Sequence, residues 1–86
     1  MKSKIKVTVK LYGVLRKHRP AGAPGEAHHS FELDLQKGAT VAKLADHLGI
    51  QAGSFSAVAI NGEAAGEDRL LQDGDEVRLF PPSAGG

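Results

Sequence analysis

The groups in this sequence able to do chemistry are few, and they converge on its end. There is no cysteine among the 86 residues, which excludes disulfides, thiolate zinc sites, iron–sulfur clusters and thiol nucleophiles together. His28 and His29 are adjacent; as neighbouring strand residues they point to opposite faces and cannot chelate one ion together, so no metal site is expected. No nucleophile stands near a base on a plausible scaffold and no glycine-rich loop cradles a phosphate, which leaves hydrolase and oxidoreductase readings without support. What remains is the main-chain carboxylate behind Pro81-Pro82-Ser83-Ala84-Gly85-Gly86. Pro81 and Pro82 fix φ and remove two backbone donors, so the chain leaves the preceding element in an extended, polyproline-like form. Six extended residues reach about 20 Å, far enough to enter another protein's cleft. Ser83 and Ala84 keep the approach slim, and Gly85 and Gly86 accept whatever backbone angles a narrow channel imposes. The plainer reading of such an end is a frayed terminus.

Composition bounds the body that carries this tail. With 41% hydrophobic and 24% charged residues, the chain is expected to fold as one domain, residues 1–80, with a flexible tail at 81–86. A chain of this length buries somewhat over ~60% of its unfolded surface, too little for a deep catalytic cavity of its own. No apolar run approaches the roughly 20 residues that span a bilayer, and Met1-Lys2-Ser3-Lys4-Ile5 is not a secretory signal, so a cytoplasmic protein with no membrane contact is expected. A net charge of +1 gives no reason to expect nucleic acid as a partner. The basic cluster Arg16, Lys17, His18 and Arg19 has no interleaved aromatic residue; it reads as a solvated loop base or as a contact for an acidic partner surface.

The elements that must position the tail follow from periodicity. Lys4 to Tyr12 alternates with period two, placing Ile5, Val7, Val9 and Leu11 on one face and Lys4, Lys6, Thr8, Lys10 and Tyr12 on the other. Ser30 to Leu35 is a second strand with Phe31, Leu33 and Leu35 inward, and its outward Glu32 and Asp34 suit antiparallel pairing with the lysines. Between them, Val14 to Lys17 forms a short helical turn and Arg19 to Gly25 an irregular Pro/Gly loop. Thr40 is a good N-cap for a helix over Val41–Leu48, whose Val41, Leu44, Ala45 and Leu48 make one apolar stripe, with Gly49 in the C′ position. His47 lies off that stripe, where it is exposed. Ser56 to Ile60 is a short strand closed by Asn61-Gly62, a hairpin signal. Glu63 to Asp68 is polar with room for one short strand, and Arg69 to Gln72 is expected to make one helical turn whose leucines cap the core. Asp73-Gly74 turns the chain into the last strand, where Val77 and Leu79 face inward and Glu76, Arg78 and Phe80 outward. The order gives an α+β protein with one helix on one face of a mixed sheet.

Residues 73–86, Asp-Gly-Asp-Glu-Val-Arg-Leu-Phe-Pro-Pro-Ser-Ala-Gly-Gly, resemble the ending of the ubiquitin-like sulfur carriers, the MoaD/ThiS-like group: most of all the small subunit of molybdopterin synthase, and more loosely the thiazole-pathway carrier. Residues 4–12 and Val58-Ala59-Ile60-Asn61-Gly62 share the resemblance; residues 16–30 hardly do. It implies a β-grasp fold of four to five strands with the first and last strands central and parallel. Tyr12 and Phe80 would then lie at the same end of adjacent strands, an exposed aromatic patch beside the tail. The resemblance also implies that Gly86 is adenylated by an E1-like enzyme and converted to a thiocarboxylate that donates sulfur. On that basis the chain is not itself an enzyme and binds no cofactor, since ATP and magnesium belong to the activating enzyme. The second partner is the large synthase subunit or another sulfur acceptor. The face holding Tyr12, Phe80 and Ala64 would meet these partners, although family members often carry a bulkier apolar residue at the position of Ala64. Two other readings stand beside molybdopterin synthesis. One is a carrier for thiazole synthesis, tRNA thiolation or protein conjugation; the other is a β-grasp binding module whose glycines do no chemistry.

Overall fold

The computed structural model describes residues 3–51 and 53–82. Alternation of apolar and polar residues builds five strands, β1 (Lys4–Leu11), β2 (Phe31–Gln36), β3 (Ala57–Ile60), β4 (Glu63–Ala65) and β5 (Glu76–Phe80), with one α-helix, α1 (Val41–His47). A 3-10 helix, η1 (Gly13–His18), follows β1, where a short helical turn is expected, and buries Leu15. The strands form one mixed sheet in the order β2-β1-β5-β3-β4. β1 and β5 are parallel and central, and the other pairings are antiparallel. Everything between β1 and β5 serves as the crossover that a parallel pair requires.

The core lies on one face only. Ile5, Val7, Val9 and Leu11 of β1, Val58 and Ile60 of β3, and Val77 and Leu79 of β5 are all buried, and α1 closes over them with Val41, Leu44, Ala45 and Leu48. Thr40 caps the helix as expected, its hydroxyl oxygen accepting from the Lys43 amide at 3.3 Å. In β2, Phe31 and Leu35 are buried while Leu33 is only half-buried. The outward lysines meet the acids of β2: Lys6 stands opposite Asp34, and its Nζ lies 3.9 Å from Glu32 Oε1. Asn61 (φ 53) and Gly62 (φ 87) both sit in the left-handed region, the backbone a two-residue hairpin turn demands between β3 and β4.

Two local expectations are corrected. Arg69–Gln72 is not a helical turn. The Leu71 amide donates to the Ala39 carbonyl and the Val41 amide to the Arg69 carbonyl, so the segment lies extended against the approach to α1, with Thr40 and Leu70 forming a β-bridge. Extension sends the two leucines to opposite sides, and only Leu71 is buried whereas Leu70 is 51% exposed. His28 and His29 lie in a turn rather than a strand: the His29 amide donates to the Glu26 carbonyl and β2 starts only at Phe31.

Candidate functional site

The site is built where three neighbouring strands run out together. In the parallel register, Thr8 faces Glu76, Lys10 faces Arg78 and Leu11 faces Leu79; the same step carries Tyr12 alongside Phe80. Leu11 and Leu79 are buried against the helix, so Tyr12 and Phe80 project from the opposite face, each half-buried. Their rings stack with centroids 4.5 Å apart and planes inclined by 20°, within the offset-stacked range. Lys10 Nζ approaches the Tyr12 ring to 5.4 Å from its centroid, close enough for a cation–π contact.

The patch continues across the sheet on small residues. Ala57 pairs with Phe80, Ala59 with Arg78, and Ala64 with Ala59. Directly paired residues share a face, so Tyr12, Phe80, Ala57, Ala59 and Ala64 make one low apolar band across β1, β5, β3 and β4. The structure thus brings Tyr12, Phe80 and Ala64 onto one surface. The band is bounded by charge, with Arg78 Nη2 lying 3.6 Å from Glu76 Oε1. Ala64 is exposed and adds little relief, leaving the aromatic pair as the tallest feature.

Beside the aromatic pair, β5 ends and the tail begins. Pro81 is half-buried and Pro82 exposed. The Ser56 amide donates to the Phe80 carbonyl at 2.9 Å, and the Ser56 hydroxyl to the Pro81 carbonyl at 2.8 Å. Ser83, Ala84, Gly85 and Gly86, named above for tail threading and for the chemistry itself, lie outside the described residues.

The root of β5 is held as firmly as its end. Asp75 is 6% exposed; its Oδ1 accepts from Asn61 Nδ2 at 2.9 Å and its Oδ2 from the Gln72 amide at 2.8 Å. The Glu76 amide donates to Asn61 Oδ1 at 2.9 Å, and the Asn61 amide to the Glu76 carbonyl at 2.8 Å. The β3–β4 turn is therefore locked to the first residue of β5, which fixes the strand that launches the tail. Asn61 and Asp75 read from sequence only as a turn residue and a strand start; their partnership spans a separation that no local pattern reveals.

The basic cluster separates. Arg16 and Lys17 are exposed on η1, whereas Arg19 turns into its own loop. Its guanidinium donates to the carbonyls of Ala23 (3.1 Å), Gly25 (3.3 Å), His29 (3.3 Å) and Pro24, and lies 5.6 Å from the centroid of the Phe31 ring. The rings of His28 and His29 pack edge-on, 4.4 Å between centroids, and His29 Nδ1 accepts from the Glu26 amide at 2.9 Å. Among the described residues no three His, Asp or Glu side chains gather as a metal site, and no helix is long and apolar enough to cross a membrane.

A mixed five-stranded sheet with parallel central strands, a helix on one face and a free opposite face defines a β-grasp, ubiquitin-like protein. A profile of the ThiS family matches residues 21–86, and the chain belongs to that family. No curated protein matches the sequence. Among solved structures, SAMP1 from Haloferax volcanii is 26% identical, with a TM-score of 0.66 over 94% of this chain and 99% of that one. A protein described as molybdopterin converting factor subunit 1, from Pyrococcus furiosus, is 25% identical with a TM-score of 0.67, covering 92% and 99%. A Helicobacter pylori complex of subunits 1 and 2 of molybdopterin-converting factor contains a chain of the same fold, 23% identical, TM-score 0.55, covering 95% and 100%.

Proposed function

We propose that this protein is a sulfur carrier whose Gly86 carboxylate is loaded by one protein and unloaded by another, acting as the small subunit of a molybdopterin synthase in molybdenum or tungsten cofactor formation. The observation that carries this reading is the stacked Tyr12–Phe80 pair on the free face of a ThiS-family β-grasp, one residue before the prolines that start the Gly-Gly tail. A half-exposed aromatic pair is the kind of anchor a partner buries, and burying it there aims the terminus into the partner. The protein has no need of a base or oxyanion hole of its own, because its partners supply them.

The chemistry balances on the main chain. A Gly86 carboxylate oxygen attacks the α-phosphate of ATP in an E1-like enzyme, with magnesium held there, and pyrophosphate leaves. A persulfide sulfur then attacks the acyl-adenylate carbonyl and expels AMP. A second thiol cleaves the resulting sulfur–sulfur bond, leaving a thiocarboxylate and a disulfide on the sulfur source. The thiocarboxylate sulfur is the nucleophile delivered to the acceptor, in the compartment read from the sequence as cytoplasmic.

Similarity to SAMP1 favours a second reading, a modifier whose activated terminus is joined to other proteins. Incubation with an activating enzyme, ATP and a sulfur source, followed by intact-mass measurement, tests the carrier chemistry. The expected product has gained the mass difference between sulfur and oxygen; an unchanged mass sinks the sulfur-carrier reading, and an unchanged mass together with no covalent attachment to other proteins leaves a binding module. Copurification with a large synthase subunit, rather than covalent attachment to lysines of other proteins, separates the first reading from the second.

A further inference from the structure

We infer that Gly13 and Ser56 are positioning residues that fix the direction in which Pro81 carries the tail out of the domain. The inference rests on the carrier reading above and adds to it a device in the body of the protein. β5 is flanked by β1 on one side and β3 on the other. Carrying the parallel register two residues past its last pair, through Tyr12 and Phe80, places Gly13 beside Pro81 on the β1 side, and carrying the antiparallel register one residue past its last pair places Ser56 beside it on the β3 side. Both contacts are made. A β-carbon at Gly13 would lie 2.9 Å from Pro81 Cγ, so the proline ring rests directly on the glycine backbone, and Gly13 sits at φ +56, where other residues are strained. On the other side, the Ser56 hydroxyl reaches the Pro81 carbonyl at 2.8 Å.

Proline cannot donate to the sheet, so the ladder fails at Pro81, and a side chain supplies the next rung. The consequence is geometric. Pro81-Pro82 is a stiff unit, and a stiff unit fixed at its base restricts the directions open to whatever follows. A terminus already aimed loses less freedom on entering a cleft than one that must search, and orientation of this kind appears in the turnover step once docking is complete.

The test uses the full-length protein as substrate for the activating enzyme in ATP–pyrophosphate exchange, comparing wild type with Ser56→Ala, Ser56→Thr and Gly13→Ala. Ser56→Ala and Gly13→Ala are expected to lower kcat by about three- to tenfold while KM, set mainly by the aromatic patch, stays within about twofold. Ser56→Thr, which keeps the hydroxyl, is expected to restore kcat. A purely structural role would instead lower the melting temperature without this kcat-against-KM split. Kinetics of Ser56→Ala and Gly13→Ala equal to wild type overturn the inference but leave the carrier reading intact. Failure of wild type itself to support exchange overturns both. A partner-independent check is the nuclear Overhauser contact between the Gly13 α-protons and the Pro81 ring, expected in wild type; its absence there removes the clamp whatever the activating enzyme does.

Discussion

Tyr12 and Phe80 share one surface because an alternating strand gives each an outward position and the parallel register makes them neighbours. Such a pair is worth about 0.5–1.5 kcal/mol beyond its buried area, and both rings remain half-exposed, so most of their value is left for a partner. Phe80→Asp is therefore expected to weaken binding to an activating enzyme by about tenfold or more, read by calorimetry, with little change in the far-ultraviolet circular dichroism; unaltered affinity would remove the patch from the interface. Asp75 is the opposite case, a buried acid serving the fold. Asp75→Ala strands the Asn61 amide and the Gln72 N–H, which costs about 1–3 kcal/mol. For a domain of this size each kcal/mol lowers the melting temperature by roughly 4–8 °C, and a thermal melt within 1–2 °C of wild type would contradict that role. The exposed aromatics were legible in the sequence from parity. The Asp75–Asn61 link was not, because the two residues are 14 apart and meet only when β3 and β5 pair.

At the scale of elements, α1 follows from signals within a dozen residues: the Thr40 cap, the apolar stripe and the absence of any competing proline. Thr40→Ala is expected to cost about 1 kcal/mol, measured by urea denaturation, with the midpoint falling and the slope unchanged. Arg69–Gln72 carried equally helical composition yet lies extended, because backbone bonds from Leu71 to Ala39 and from Val41 to Arg69 outcompete a single isolated turn. The loop between η1 and β2 reads from sequence as irregular, while the structure gives it a centre in the Arg19 guanidinium and its carbonyl partners. Arg19→Ala is expected to raise amide exchange and protease sensitivity across residues 20–30 selectively, leaving protection in β1 and β5 in place. A uniform loss of protection would make Arg19 part of the global fold instead.

For the whole molecule, the decisive feature is that, among the described residues, the core occupies one face of the sheet and has Leu79 as its last member. On the proposed carrier reading, stability and delivery then belong to different parts of the chain. Deleting Gly86 is expected to abolish loading in the mass assay while the melting temperature stays within about 1–2 °C, because the described core draws its last member from Leu79, seven residues earlier in sequence. A large drop would mean that the terminus contributes to the core. The free sheet face carries opposite charges in near-balance around its apolar band, as in Lys6 with Glu32 and Arg78 with Glu76. Such exposed pairs contribute little to stability, so substitutions on this face are free to alter partner choice without unfolding the protein.

Within β1, β3, β5 and α1, the sequence by itself determined which residues face inward, where the helix starts and that Asn61-Gly62 turns the chain, since each depends on periodicity and caps within a few neighbouring residues. It also determined that any sulfur chemistry must sit on the main chain, because no thiol exists elsewhere. Only the tertiary structure decided what flanks the root of the tail. Placing Gly13 on one side of Pro81 and Ser56 on the other requires β5 to insert between β1 and β3. That insertion is a choice among long-range pairings; alternation along a strand encodes which face a side chain takes, and carries no information about which strand lies beside it.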